Sequence, residues 1–250
     1  VSTLRIARIE TPPKPYRQEP RVSFGHAVLV AIPGDDGDAA ALITTLDWLA
    51  SADAVYAVPG DLATRHAENP DWKKVRRRTL RSVTAGAEGQ EWFEKNEREL
   101  VEVELTHRDK HRNLVTLESD GLDKLLGAPL EIFPYTKKGL FYAYGYSPYF
   151  GNAIAQTTIA PTHPDKVALS FYFQSSFPAA LGAPIVSDKG ELVTITAFRH
   201  PDDANTTLAI PTQAIESYLA PDYARKKRKE AASGDDNDTG EADSSTGEGK

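Results

Sequence analysis

Cysteine is absent from this 250-residue chain, and so is methionine. Without cysteine there is neither a disulfide framework nor a thiolate metal site, and the absence fits any redox compartment. No apolar run is long enough for a membrane-spanning helix. No secretory leader is visible at Val1, and with methionine missing as well the chain reads as a mature product or an excerpt of a longer protein. Positive charge is also in short supply. Against 36 Asp and Glu stand 29 Lys and Arg, a formal net charge of −7 that argues against broad nucleic-acid binding.

What is present is apolar residue in quantity, 40% of the chain, which suffices for a substantial core. It comes in short runs broken by Gly and Pro, the pattern of an all-β domain. Residues 1–21, with Pro12, Pro13, Pro15 and Pro20, are expected to form an extended lead-in lying against the domain. Residues 22–219 form the domain itself. Beyond them Arg225-Lys226-Lys227-Arg228-Lys229 is followed by a Gly/Ser/Asp/Glu-rich run. Such a segment cannot bury enough surface to offset its ordering entropy, so 220–250 is expected to be a disordered tail or linker.

Five segments, in order, carry a resemblance. Ala41-Leu42-Ile43-Thr44-Thr45-Leu46-Asp47-Trp48 is followed by His111-Arg112-Asn113-Leu114-Val115, and then by Tyr144-Gly145-Tyr146-Ser147-Pro148. Next come Pro178-Ala179-Ala180-Leu181-Gly182-Ala183-Pro184-Ile185-Val186 and Leu208-Ala209-Ile210-Pro211. The set resembles the trypsin-like serine proteases, most closely the HtrA/Deg group, over about residues 22 to 219. The resemblance implies two packed six-stranded antiparallel β-barrels, the first at about 22–125 and the second at about 139–211. A partly helical insertion is expected at 61–99 and a short terminal helix at 212–219, with Pro211 suited to its start.

The same resemblance places Asp47 where such enzymes carry the histidine base, Asn113 where they carry the aspartate, and Leu181 where they carry the serine. Acyl transfer by that route needs an activated hydroxyl, a base and a group that orients the base. Leu181 has no nucleophilic atom, Asp47 is too weak a base at neutral pH, and Asn113 brings no charge. Ala179 and Gly182 fall in the oxyanion loop, and alanine at 179 disfavours dihedrals that glycine allows. The resemblance therefore implies a protease framework with a degenerate triad: no catalytic residue, no cofactor and no enzyme. Its function would be binding, scaffolding or regulation. The strand containing Ile195, Thr196, Ala197 and Phe198 is expected to accept an extended peptide by strand addition.

Other constellations are weaker. Ser175 or Ser176 with His200 would make a relocated peptidase site, the alternative being turn-capping serines and a solvated loop histidine. His107 and His111 have a metal-compatible H-x-x-x-H spacing if the segment is helical, but Arg108, Lys110 and Arg112 oppose a divalent cation. Solvated histidines are the simpler reading, and no metal site is assigned. The acidic turn Gly34 to Asp38 lacks the ligand spacing of a calcium loop. Within the insertion, the basic run Trp72 to Arg81 and the acidic run Glu88 to Glu104 roughly cancel, which favours pairing with one another over RNA or lipid binding. Helical turns are expected around Trp92, Phe93, Asn96 and Leu100. The expected partner is a protein or peptide, an active protease or neighbouring domains of a longer chain, with no nucleic acid and no membrane span. Family habit implies an extracytoplasmic location, periplasmic or secreted, and leaves the oligomeric state open.

Overall fold

The computed structural model describes residues 2–11, 21–34, 39–59, 86–133, 139–147, 151–161, 172–175, 180–200 and 203–221. These residues form a mostly β molecule of two seven-stranded antiparallel sheets. The first contains β1 (Thr3–Glu10), β2 (Arg21–Ala31), β3 (Ala40–Thr45), β4 (Ala54–Val58), β5 (Val101–Glu102), β6 (Glu104–Asp109) and β7 (Leu114–Glu118). Its order is β5-β4-β1-β2-β3-β7-β6. The second contains β8 (Phe141–Ser147), β9 (Gly151–Thr157), β10 (Ile159–Pro161), β11 (Phe173–Ser175), β12 (Pro184–Ser187), β13 (Leu192–His200) and β14 (Asp203–Ile210). Its order is β10-β11-β14-β13-β12-β8-β9.

The all-β, two-sheet architecture is the one expected, with a seventh strand in each sheet. One of the additional strands corrects the start of the domain. Thr3–Glu10 is not a lead-in beside the sheet but a strand inside it, paired with β2 on one side and β4 on the other. Leu4, Ile6 and Ala7 are buried there. All four prolines that suggested a separate segment come after Glu10, so they do not interrupt its hydrogen bonding.

Three α-helices are found among the described residues: α1 (Leu46–Leu49), α2 (Gly86–Asn96) and α3 (Thr212–Leu219). The single turn of α1 places Trp48 over β2 at Gly25, where a Cβ would fall 2.6 Å from the indole. Glycine is what permits that approach. Helix α2 belongs to the expected insertion and lies on the outer face of the first sheet. Trp92 meets Phe24 edge-on at 4.8 Å, and Phe93 meets Tyr56 at 5.1 Å, geometries that add to simple burial. The basic run at 72–81 and the tail beyond Pro221 lie outside the described residues, as does the turn at 35–38.

Between the sheets lies a shared core. Val28, Val30, Ile43 and Leu114 of the first sheet pack with Leu192, Ile195 and Ile210 of the second and with Ile215 of α3. Helix α3 reaches across to the first sheet, where the Tyr218 hydroxyl bonds Thr116 Oγ1 at 2.6 Å and donates to the His107 carbonyl. The connecting chain is stitched to both sheets within three residues: Leu130 exchanges hydrogen bonds with Leu29 and Ala31, and Leu192 with Glu131 and Phe133. Isolated parallel bridges at Val30–Leu130 and Ile132–Leu192 mark the two crossings. Among the described residues no helix is long and apolar enough to cross a membrane.

Candidate functional site

Asp47 and Asn113 are far apart in sequence, and the fold brings them into hydrogen-bond contact, while Leu181 joins the same sheet through its carbonyl and the first-sheet core. Asn113 is the centre of this arrangement. It ends the turn between β6 and β7, where Asp109 Oδ1 accepts the N–H groups of His111 and Arg112, each at 2.9 Å. Its own backbone is left-handed, with φ of 57°, a conformation asparagine adopts more readily than most residues. That twist points Asn113 at the start of α1, whose first N–H groups have no partner within the helix. The Leu46 N–H donates to the Asn113 carbonyl at 3.1 Å, and the Asp47 N–H donates to its side-chain Oδ1 at 2.7 Å. Asn113 is only 2% exposed, so the amide acts as a buried cap supplied from a distant turn.

The Asp47 side chain points the other way, into solvent. On the far side of Asn113, its Nδ2 lies 3.4 Å from the Tyr172 hydroxyl. Tyr172 packs edge-on against Phe198 at 4.8 Å. Burial pushes the Tyr172 phenol above its ordinary range; the Asn113 hydrogen bond opposes that, and the nearby charge of Asp47 adds to it. A carboxylate, an amide and two aromatic rings thus share one wall.

Leu181 sits opposite, half-buried, with its side chain against the core of the first sheet although it belongs to the second. Its carbonyl accepts the His26 N–H at 2.8 Å. The next residue, Gly182, has φ of 71° and no space for a side chain: a Cβ would fall inside the His26 carbonyl and 2.5 Å from Thr44 Oγ1. Gly182 also donates to the Thr196 carbonyl at 2.8 Å, and Thr196 donates back to Ala183 at 2.9 Å. Its hydroxyl donates to the Ala180 carbonyl as well. Ala179 lies outside the described residues.

These bonds narrow the expected peptide-binding strand. Ile195 pairs with Pro184 on one side and Ile210 on the other, and its side chain is fully buried. Thr196 spends its backbone groups on the Ala183 and Gly182 loop. Only Ala197 and Phe198 run beyond the start of β12, where no strand of the described residues lies opposite them on that side.

The remaining candidates do not converge. His107 is on β6 with its ring 4.8 Å from Tyr218, while His111 is in the following turn, so the helical premise for their spacing is not met. Among the described residues no three metal-ligating side chains gather. Ser175 is buried in β11 with its hydroxyl 2.8 Å from that of Thr157, a structural bond inside the sheet. Ser176 lies outside the described residues.

Two residues of the site escaped the sequence reading. Tyr172 has no local motif, since its partner is 59 positions away. His26 is embedded in an apolar strand and is only 3% exposed. Burial and then the charge of Arg5 push His26 down to about 3.

No protein-family model matches the chain, and no curated protein does. Solved structures do. The chain is similar to the HtrA-type protease AlgW in a structure with a tripeptide: 16% identity, 88% of this chain and 60% of that one, TM-score 0.53. It is similar also to the Rv3671c protease from M. tuberculosis in its active form: 13% identity, 88% of this chain and 79% of that one, TM-score 0.52. The chain thus spans about 60% of the length of the AlgW chain. At these identities the likeness establishes the trypsin-like fold, with HtrA-type serine proteases as structural neighbours. It also corrects one expectation. The degenerate positions suggested that the chain is no enzyme, whereas its structural neighbours are proteases; the non-enzyme reading is set aside.

Proposed function

We propose that this chain is a trypsin-like domain that recognises an extended peptide or protein segment along the end of β13. The observation that carries the reading is the stretch at Ala197 and Phe198, which no strand of the described residues covers on the β12 side, next to the wall formed by Tyr172, Asn113 and Asp47. A peptide adding as a strand gains main-chain hydrogen bonds, and side-chain pockets supply selectivity. The AlgW structure with a tripeptide supports a peptide as the ligand class. Positions 47, 113 and 181 are the counterparts of base, orienter and nucleophile.

Titration of fluorescently labelled extended peptides, read by anisotropy, tests recognition. Phe198→Ala is expected to weaken binding about tenfold, in keeping with loss of a buried aromatic anchor. Equal binding by the wild type and this variant would sink the assignment. The positional correspondence is tested by Asp47→His, Asn113→Asp, Leu181→Ser and Ala179→Gly in combination. This variant should acquire fluorophosphonate labelling at position 181; a folded but unlabelled protein would show that the correspondence is wrong.

The protease neighbours favour a second reading, peptide hydrolysis at this frame. Position 181 supplies no hydroxyl or thiol, so a covalent route needs a nucleophile from elsewhere in the chain. Casein turnover with a fluorophosphonate adduct mapped by mass spectrometry would identify it. No turnover and no adduct would remove this reading.

A further inference from the structure

The wall beside β13 carries a chemistry of its own. Asp47 is exposed, with its backbone N–H already used by Asn113 and its carboxylate outside any ion pair among the described residues. Arg8, which reaches the neighbouring Trp48, is engaged: it pairs with Glu10 at 2.6 Å, donates to the Trp48 carbonyl and lies over the Trp48 ring. Asn113 ties Asp47 to Tyr172 through one amide, whose oxygen takes the Asp47 N–H and whose nitrogen faces the Tyr172 hydroxyl. Tyr172 and Phe198 meet at 78°, so the two rings present differently oriented surfaces at one place. Aromatic faces attract a cation through their quadrupole, and a carboxylate at the rim supplies the counter-charge.

We propose that Asp47, Tyr172 and Phe198 form a selectivity site for a lysine or arginine side chain carried by the bound peptide. This rests on the reading that β13 accepts a peptide. Charge complementarity selects the occupant: among the described residues the charged group of the wall is the Asp47 carboxylate, outside any ion pair, and the chain as a whole is at −7, which draws cationic peptides toward it. An acidic side chain would meet Asp47 as a like charge. A neutral side chain would gain the ring contact and nothing from the carboxylate.

The experiment uses the full chain and short labelled peptides identical except for one central Lys, Gln or Glu, read by anisotropy at low and high salt. The Lys peptide should bind about tenfold more tightly than the Gln peptide. Added salt should shrink that ratio, because the carboxylate is exposed. Asp47→Asn should bring the Lys/Gln ratio close to one. Tyr172→Phe, which keeps the ring, should retain most of the preference. Asp47→Ser provides the same comparison if the first variant folds poorly. Equal affinity of the wild type for Lys and Gln peptides would overturn the selectivity site while leaving peptide recognition intact, as would a ratio that survives loss of the carboxylate. Failure of every peptide to bind would remove both proposals together.

Discussion

The two sides of the sheet junction are built in opposite ways. On the inner side, Gly182 has no room for a Cβ, and short bonds fix the backbone around it. Thr44 Oγ1 donates to the His26 carbonyl at 2.6 Å, the His26 N–H to Leu181 and the Gly182 N–H to Thr196 at 2.8 Å, and Asn113 accepts from Asp47 and Leu46 at 2.7 and 3.1 Å. On the outer side, Asp47, Tyr172 and Phe198 are half-buried or exposed, and the Asn113 amide reaches the Tyr172 hydroxyl only at 3.4 Å. A side chain is replaceable on the outer side at little cost to folding, whereas an added methyl on the inner side has nowhere to go. The comparison separates residues that build the frame from residues free to select a ligand.

The sharpest way to break that distinction is Gly182→Ala. The substitution adds a Cβ inside a fixed backbone carbonyl and forces a left-handed conformation on alanine, so a loss of about 3–5 kcal/mol is expected by urea denaturation. A loss within the range of ordinary surface substitutions would show that the inner side can yield. Acid should reveal the same packing at His26. Its pKa falls from 6.5 in the unfolded chain to about 3 in the folded one. Between those values the unfolded state binds the extra proton, so stability drops as pH falls from 6.5 toward 3, by roughly 1.4 kcal/mol per pH unit at the steepest. Denaturation midpoints across a pH series should lose this slope in His26→Gln; an unchanged slope would place the effect elsewhere.

Asn113→Ala tests the link between the sides. It removes the cap on α1 and puts alanine at φ of 57°, for an expected cost of about 2–3 kcal/mol. It should also weaken peptide binding, because Asp47 and Tyr172 both take their positions from that amide. Stability loss with unaltered binding would uncouple the two sides. The smallest effect should come from Tyr218→Phe, which removes a hydroxyl joining α3 to Thr116 and His107. About 1–2 kcal/mol is expected, with peptide affinity unaltered, since the hydroxyl bonds only Thr116 and His107 and the ring that packs in the core is kept.

Much of the frame was legible because its determinants are local. The block Ala41 to Trp48 carries the resemblance within a few residues, and it is that resemblance which places Asp47; the strand Ala40–Thr45 and the turn from Leu46 follow it in the structure. Gly182 and Pro184 marked a loop entering a strand, and φ of 71° at Gly182 shows why glycine stands there. The first strand is hard to read because prolines at 12, 13, 15 and 20 follow directly on it and give residues 1–21 the composition of an extended segment, while its apolar residues lie within Thr3–Glu10. Ile195 was misjudged as available because an apolar strand residue looks the same whether one edge or both are paired. Tyr172 was invisible for a more basic reason. Its role comes from contacts with Asn113 and Phe198, brought together by folding alone, and no spacing in a single sequence encodes them.

The connector at Leu130 to Phe133 has a mechanical consequence. Because it hydrogen-bonds one sheet at Leu130 and the other on either side of Ile132, the two halves cannot swing apart without breaking bonds at both crossings. A jaw needs a slack hinge, and this chain has a rivet instead. A peptide bound along β13, as proposed above, would meet two sheets already pinned to one another at this connector, with little left to order on binding.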